Sequence, residues 1–192
     1  TDPRPVPAAP TPDHLICPAE VIFDRATIIA RIEAGADAAG GDAARLRASA
    51  VHILRAALDN GSAAIAAALA ERPFDAHPAV RAQAWLTDCV VRSVFDVATR
   101  HLHPLHNLTS GERLALFAVG GYGRFEMAPH SDVDLLFLTP YKITPWAESV
   151  IESMLYMLWD LRLKVGHASR TVKDCLRLGK DDITIRTALL EH

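Results

Sequence analysis

The sequence predicts an α+β fold in which a helical region precedes a small sheet with flanking helices. Two apolar runs, residues 114–119 and 133–138, have the length and composition of buried strands. A glycine-rich turn separates them, and a predicted helix over residues 148–159 leads to a third strand around Val165. Because residues 18–107 show helical periodicity instead, the chain is expected to place its helices first and its sheet second.

The helical region is expected to contain amphipathic helices that pack as an ordinary core. The three predicted helices cover residues 18–38, 42–71 and 78–103. The dipeptide Asn60-Gly61 is a weak point in the second helix. In the third, Asp88 and Arg92 form an i,i+4 pair that we place on the side opposite the apolar stripe.

Length and composition suit a globular protein with a real core. Half of the 192 residues are hydrophobic, and the formal net charge is only -3. Residues 1–17 carry much of the proline and are predicted to form a flexible arm, residues 18–107 a helical region, and residues 108–192 the domain with the sheet.

Two carboxylates at the start of the second strand indicate a metal site. Side chains alternate across a strand, so Asp132 and Asp134 should point to one side while Val133 enters the core. Adjacent carboxylates repel each other, and a hard divalent cation such as Mg²⁺ is the usual compensation. Taken alone, an Asp-x-Asp pair is more often a solvated edge, but an apolar run surrounds this one.

The turn before this strand is suited to phosphate binding. Gly120 and Gly121 allow backbone N–H groups to approach an anion, and Arg124 can offer a bidentate fork to phosphate oxygens. Ser131 adds a hydroxyl donor beside the aspartates. Neither a P-loop nor a dinucleotide-binding fingerprint is present, so a different nucleotide fold is required.

These motifs resemble a known family. The order of Val119-Gly120-Gly121 and Asp132-Val133-Asp134-Leu135 is similar to the signature of the nucleotidyltransferase superfamily that includes polymerase beta. The longer string GGYGRFEMAPHSDVDLLFL, with the patch KVGHASRT at residues 164–171, resembles the bifunctional PII uridylyltransferase/uridylyl-removing enzymes of bacterial nitrogen control. The resemblance covers roughly the second half of the chain.

The resemblance implies a polymerase-beta-like domain, with a small mixed sheet, that uses Mg²⁺, with Mn²⁺ as an alternative. Asp132 and Asp134 would hold the metal and act catalytically, while Gly120, Gly121, Arg124 and Ser131 would bind the triphosphate. The donor would be UTP, the acceptor a tyrosine hydroxyl of the small signal protein PII, and the leaving group pyrophosphate. The uridylyl-removing activity is expected to be absent, because its His-Asp hydrolase and regulatory domains do not fit within 192 residues. We therefore interpret the chain as a fragment.

The sequence leaves a third carboxylate unassigned. The superfamily usually supplies one from a later strand, as a metal ligand or as a general base. Asp160, Asp174 and Asp182 are candidates, although Asp182 is most simply a helix N-cap. Nearby, Arg170 is equally compatible with a phosphate contact and with an ion pair to one of the aspartates, and His167 is more simply structural.

Two alternative functions are compatible with these motifs. One is a related nucleotidyltransferase-like domain of a sensor-linked protein, against which the patch at residues 167–171 argues. The other is a catalytically weak, regulatory nucleotide-binding module, because two carboxylates can bind a metal without providing a general base.

Other classes of function and site are disfavoured. No basic patch interleaves with aromatic residues, so we expect no nucleic-acid partner. The longest apolar stretches are shorter than a membrane span, so neither membrane binding nor a secretory route is expected. Three widely spaced cysteines fit a cytoplasmic, disulfide-free protein. Three neighbouring histidines are predicted to lie in a surface loop rather than a zinc site, namely His101, His103 and His106.

Overall fold

The chain forms helices first and a sheet second, as the sequence predicts, in a computed structural model that describes residues 12–105 and 112–190. The helical region contains α1 (Ala19–Ile22), α2 (Arg25–Ala39), α3 (Ala43–Glu71) and α4 (Ala76–Asp96), which continues as a π-helical turn, Val97–Leu102. The remaining elements are β1 (Ala115–Ala118), α5 (Gly120–Gly123), β2 (Val133–Thr139), α6 (Pro145–Asp160), β3 (Val165–Thr171), α7 (Val172–Asp181) and α8 (Ile183–Leu190).

The first predicted helix is divided into two. Helix α1 ends at Ile22, and Asp24 begins α2 by accepting a hydrogen bond of 3.1 Å from the backbone N–H of Thr27. An aspartate in this position satisfies an N–H group that has no partner inside the helix, and so it favours a new helix start. Earlier in the chain, Ile16 is only 1% exposed and belongs to the core, although the sequence places it in the flexible arm.

The predicted weak point in the second helix does not interrupt α3. Gly61 is buried within this helix, and its missing side chain lets α3 approach two neighbours. A Cβ at this position would overlap the carbonyl oxygen of Ile22 and lie 2.8 Å from Cδ1 of Leu86. The glycine therefore serves helix packing rather than a turn.

The sheet is mixed, with the strand order β1-β2-β3. Strand β1 pairs antiparallel with β2, and β2 pairs parallel with β3 through the connecting helix α6. On β2, Val133, Leu135 and Phe137 are at most 2% exposed and share one core with residues of α4 and α6. The alternate residues, beginning with Asp134, lie on the opposite face of the sheet. This alternation separates the core face from the face that carries the carboxylate.

Two details of the helices differ from the sequence-based expectations. Helix α7 forms between β3 and α8 and was not predicted from the sequence. Among the described residues, α3 is long and apolar enough to cross a membrane by length and composition, contrary to the prediction that no stretch is. A single such helix is weak support for a membrane span, because the core helices of other proteins pass the same test. Here α3 packs against α1, α2, α4 and α6.

Candidate active site

Strand β1 leads directly into the glycine turn. Residues Gly120–Gly123 form the single helical turn α5, and Gly120 begins it with φ of 64°, a left-handed conformation that favours glycine. Backbone hydrogen bonds fix the turn. The N–H of Val119 donates to the carbonyl of Asp134 at 3.1 Å, and the N–H of Glu126 donates to the carbonyl of Gly121 at 2.9 Å. The turn is therefore attached to β2 beside the predicted metal ligands.

The half-buried carboxylate of Asp134 lies between two glycines. A Cβ at Gly120 would lie 3.4 Å from its Oδ2, and a Cβ at Gly166 would overlap its Oδ1. Gly166 is the residue of β3 that pairs with Asp134 in the parallel register. The two glycines thus leave a space that the carboxylate occupies. A glycine inside a strand is a sequence signal of such close approach, and the sequence-based interpretation did not use it.

The three other predicted side-chain ligands are exposed on the surface. Asp132 immediately precedes β2 and is exposed, so only Asp134 is within the strand. Ser131 is also exposed, and its backbone N–H donates to the carbonyl of Ala128 at 3.1 Å. Arg124 ends the glycine turn, where its Nε donates to Oε2 of Glu126 at 3.1 Å. The predicted phosphate ligand therefore has an acidic partner that the sequence did not indicate.

Each of the three carboxylates considered as a third metal ligand or general base is hydrogen-bonded to another part of the chain. Asp160 accepts a hydrogen bond of 2.9 Å from Nη2 of Arg47 at the end of α6. Asp174 forms a capping box with Thr171, whose hydroxyl donates at 2.7 Å and, as the largest cause, lowers the pKa of Asp174. Asp182 accepts a hydrogen bond of 3.3 Å from the N–H of Ile185, which confirms its role as the N-cap of α8.

The site therefore offers two carboxylates rather than three. Across residues 12–105 and 112–190, the structure contains no group of three His, Cys, Asp or Glu side chains arranged to hold a metal. Strand β3, which the superfamily resemblance suggested as a source, carries Gly166 opposite Asp134. On the same face of β3, Arg170 lies four residues further on, roughly 13 Å along the strand. No ion pair between Arg170 and either aspartate is present among the described residues.

A buried tyrosine connects the glycine turn to helix α4. Tyr122 is 3% exposed and forms a side-chain hydrogen bond with Asp88. The predicted pair of Asp88 and Arg92 is confirmed, with Arg92 Nε donating to Asp88 Oδ2 at 2.7 Å. Its predicted location on the side opposite the apolar stripe is wrong, because both residues line a cavity against the sheet. Helix α4 is buried around most of its circumference, so a single apolar stripe does not define its outer side.

The neighbouring histidines are less exposed than predicted. Nε2 of His103 lies 2.7 Å from Oγ of Ser153, and Nε2 of His101 lies 3.4 Å from Oε1 of Glu33. Both histidines are partly buried at the end of the π-helical turn, so the prediction of surface positions is wrong for them. His106 lies outside the described residues.

Comparison with known proteins identifies relatives that share one name, "Bifunctional uridylyltransferase/uridylyl-removing enzyme". The chain is 64% identical over 172 residues to the protein of this name from Ruegeria pomeroyi, an alignment that covers 89% of this chain and 19% of the relative. It is 62% identical over 179 residues to the protein of this name from Cereibacter sphaeroides, and this alignment covers 93% of this chain and 19% of the relative. It is 50% identical over 172 residues to the protein of this name from Caulobacter vibrioides, and this alignment covers 90% of this chain and 18% of the relative.

The chain thus matches a segment of about a fifth of the length of these relatives. No family model matches the chain. No solved structure matches it either, so the fold rests on the architecture described above.

Proposed function

We propose that this chain, a homologue of one segment of the bifunctional uridylyltransferase/uridylyl-removing enzymes, is a uridylyltransferase domain. It would transfer UMP from UTP to a tyrosine hydroxyl of the nitrogen-regulatory protein PII and release pyrophosphate. The shared name of the relatives supports uridylyl transfer, whereas the donor and the acceptor protein rest on the family resemblance. The observation that carries the proposal is the position of the Asp134 carboxylate, which lies between Gly120 of the glycine turn and Gly166.

The residues at this site fit a Mg²⁺ ion, with Mn²⁺ as an alternative. Mg²⁺ takes oxygen ligands and is commonly bound by one or two carboxylates together with substrate phosphates and water. Asp132 and Asp134 supply those carboxylates, and two glycines keep side chains out of the space around Asp134. A bound Mg²⁺ would supply stabilisation of the negative charge that develops on the transferred phosphoryl group.

The glycine turn would hold the triphosphate. Gly120 and Gly121 allow the backbone to approach phosphate oxygens without a Cβ in the way, and the hydroxyl of Ser131 is an additional donor. When the nucleotide binds, the guanidinium of Arg124 would donate to a phosphate oxygen instead of to Glu126. Both side chains of this ion pair are about half exposed, at 45% and 55%, and such surface pairs typically contribute only about 0–1 kcal/mol. Loss of the pair with Glu126 alone would therefore cost little free energy.

The transfer itself is an in-line displacement at the α-phosphorus. The bond from the tyrosine oxygen to phosphorus forms while the bond from phosphorus to the bridging α–β oxygen breaks, and pyrophosphate leaves with the electron pair. The tyrosine hydroxyl also loses its proton. Asp160, Asp174 and Asp182 are each engaged by another part of the chain, so none of them is assigned as its acceptor.

The direct test is transfer of label from [α-³²P]UTP to PII in the presence of Mg²⁺. Asp132→Asn and Asp134→Asn should each reduce the rate by at least about 100-fold, because loss of a charge-stabilising group at the reacting phosphate typically has this effect. Asp181→Asn is the matched control, since it changes an exposed carboxylate outside the site. Equal labelling by wild type and the Asp134→Asn variant would contradict the proposal.

The two-carboxylate site favours one alternative, a regulatory module that binds nucleotide without turnover. It would bind UTP with Mg²⁺, and Asp134→Asn would weaken that binding, yet no pyrophosphate would appear in the presence of PII. Release of pyrophosphate with stoichiometric labelling of PII would exclude this alternative.

A further inference from the structure

The side chain of Tyr122 extends from the glycine turn into the interior. The residue lies within α5, yet its ring lines a cavity of about 270 Å³ between α4 and the core face of the sheet. The other lining residues include Asp88, Arg92 and Phe95 of α4. The backbone of the turn therefore borders the predicted phosphate site while its one large side chain is anchored behind it.

Helix α4 contacts this turn at two points. The hydroxyl of Tyr122 is hydrogen-bonded to the carboxylate of Asp88, which Arg92 holds in turn at 2.7 Å. Two helical turns earlier, the guanidinium of Arg81 lies 5.9 Å from the ring centre of Phe125, the residue after Arg124. Residues seven apart lie on one face of a helix, so Arg81 and Asp88 contact Phe125 and Tyr122 from the same face of α4.

The surroundings of Tyr122 favour the protonated form of its hydroxyl. Burial, as the largest cause, and then the Asp88 carboxylate raise the pKa of Tyr122 well above its ordinary value, while Arg92 lowers it and Cys89 raises it. The tyrosine therefore remains a protonated donor, and Asp88 is its acceptor.

We propose that Asp88 and Tyr122 are positioning residues for the nucleotide site, and that their hydrogen bond fixes the glycine turn relative to Asp134. The backbone hydrogen bond from Val119 to Asp134 attaches one end of the turn to β2, and a second support would fix its other end. Helix α4 provides it. The inference rests on the proposed function, because it assumes that the turn binds UTP.

Binding of UTP with Mg²⁺ by titration calorimetry tests this role, together with KM and kcat for transfer and thermal unfolding. Tyr122→Phe and Asp88→Ala should each raise the dissociation constant and KM for UTP by about 10-fold, the usual effect of losing a hydrogen bond to a charged group. The effect on kcat should be smaller. Asp88→Asn keeps an oxygen acceptor and should restore most of the affinity.

Two matched variants control for general effects. Tyr156→Phe removes a hydroxyl from a side chain on α6 that is 45% exposed, and Asp75→Asn alters an exposed pair with Arg72 at the start of α4. Both should bind UTP like wild type.

The role would be overturned if Tyr122→Phe and Asp88→Ala unfolded at lower temperature but bound UTP as tightly as wild type. Equal affinities of Asp88→Asn and Asp88→Ala would also contradict it, and this pair remains informative if Tyr122→Phe does not fold. A wild-type chain that binds no UTP would contradict the proposed function as well. Normal wild-type binding that is lost in Asp134→Asn but unchanged in the Tyr122 and Asp88 variants would contradict the positioning role alone.

Discussion

At the scale of single residues, the position of Asp134 depends on two neighbours that have no side chain. Gly120 faces one oxygen of its carboxylate and Gly166 the other. The two glycines have different backbone requirements, because Gly120 has a positive φ whereas Gly166 lies in an ordinary strand. Substitution at Gly166 therefore fills the space around the carboxylate without straining the backbone. It tests how much the site depends on that space alone.

Gly166→Ala should disturb the site more than the fold. The new Cβ would overlap Oδ1 of Asp134 and displace the carboxylate, so transfer activity and Mg²⁺-dependent UTP binding should be lost. Overpacking of this kind typically lowers the free energy of unfolding by about 1–3 kcal/mol. Calorimetric binding and thermal unfolding provide the measurements. Ser169→Ala on the same strand is the control, and normal UTP binding by Gly166→Ala would show that the carboxylate has room to move.

Local pattern can predict site residues that lie close together along the chain. Gly120, Asp132 and Asp134 lie within 15 residues, and their strand-turn-strand context is visible in hydrophobicity and glycine content. Tyr122 was not predicted to contact Asp88, nor Asp134 to contact Gly166, because these pairs meet only when α4 and β3 pack. A sequence pattern reports periodicity within an element, not which face another element covers.

At the scale of elements, α3 continues through a residue that local rules treat as a break. Alanine normally stabilises a helix relative to glycine by about 0.5–1 kcal/mol. Gly61→Ala is expected to do the opposite and to lower the free energy of unfolding by about 1–3 kcal/mol, because its Cβ meets the backbone of Ile22 and the side chain of Leu86. Asn60→Ala is the matched control, since Asn60 is exposed, and this variant should be neutral or slightly stabilising. Chemical denaturation measures both, and stabilisation by Gly61→Ala would contradict the close packing.

The capping box that starts α7 should make stability depend on pH. Hydrogen bonds from Thr171 lower the pKa of Asp174 below the ordinary carboxyl value, so the folded state favours the ionised form. Its stabilising effect is then fully present above the unfolded pKa of about 3.9 and is lost as the pH falls through the lower folded pKa.

Asp174→Ala should lower the unfolding temperature by a few degrees at pH 7, as loss of a cap does, and should have little effect below about pH 3. Asp181→Asn, which changes an exposed carboxylate of the same helix, is the control. A difference that persists unchanged at low pH would contradict this explanation.

At the scale of the whole molecule, the helical region and the sheet form one core. Leu135 and Phe137 of β2 are buried with residues of α4 and α6, and the cavity behind Tyr122 lies between α4 and the sheet. A chain restricted to residues 112–192 would expose this face of the sheet to water. We expect it to lack a cooperative unfolding transition and near-ultraviolet circular dichroism, whereas residues 12–192 should show both. A folded, UTP-binding fragment of residues 112–192 would show that the helical region is dispensable.

The mixed sheet also determines the order in which the chain can assemble. Residues 119–132 separate β1 from β2, but residues 140–164, with the whole of α6, separate β2 from β3. Closing the longer loop costs more chain entropy, and parallel strands cannot pair through a local hairpin, so β3 should join the sheet after β1 and β2 have met. Pulsed hydrogen exchange during refolding should protect the amides of β1 and β2 before those of β3. Gly166 then arrives beside Asp134 in the slowest pairing of the sheet, and a partly folded chain carries its glycine turn before the candidate site is complete.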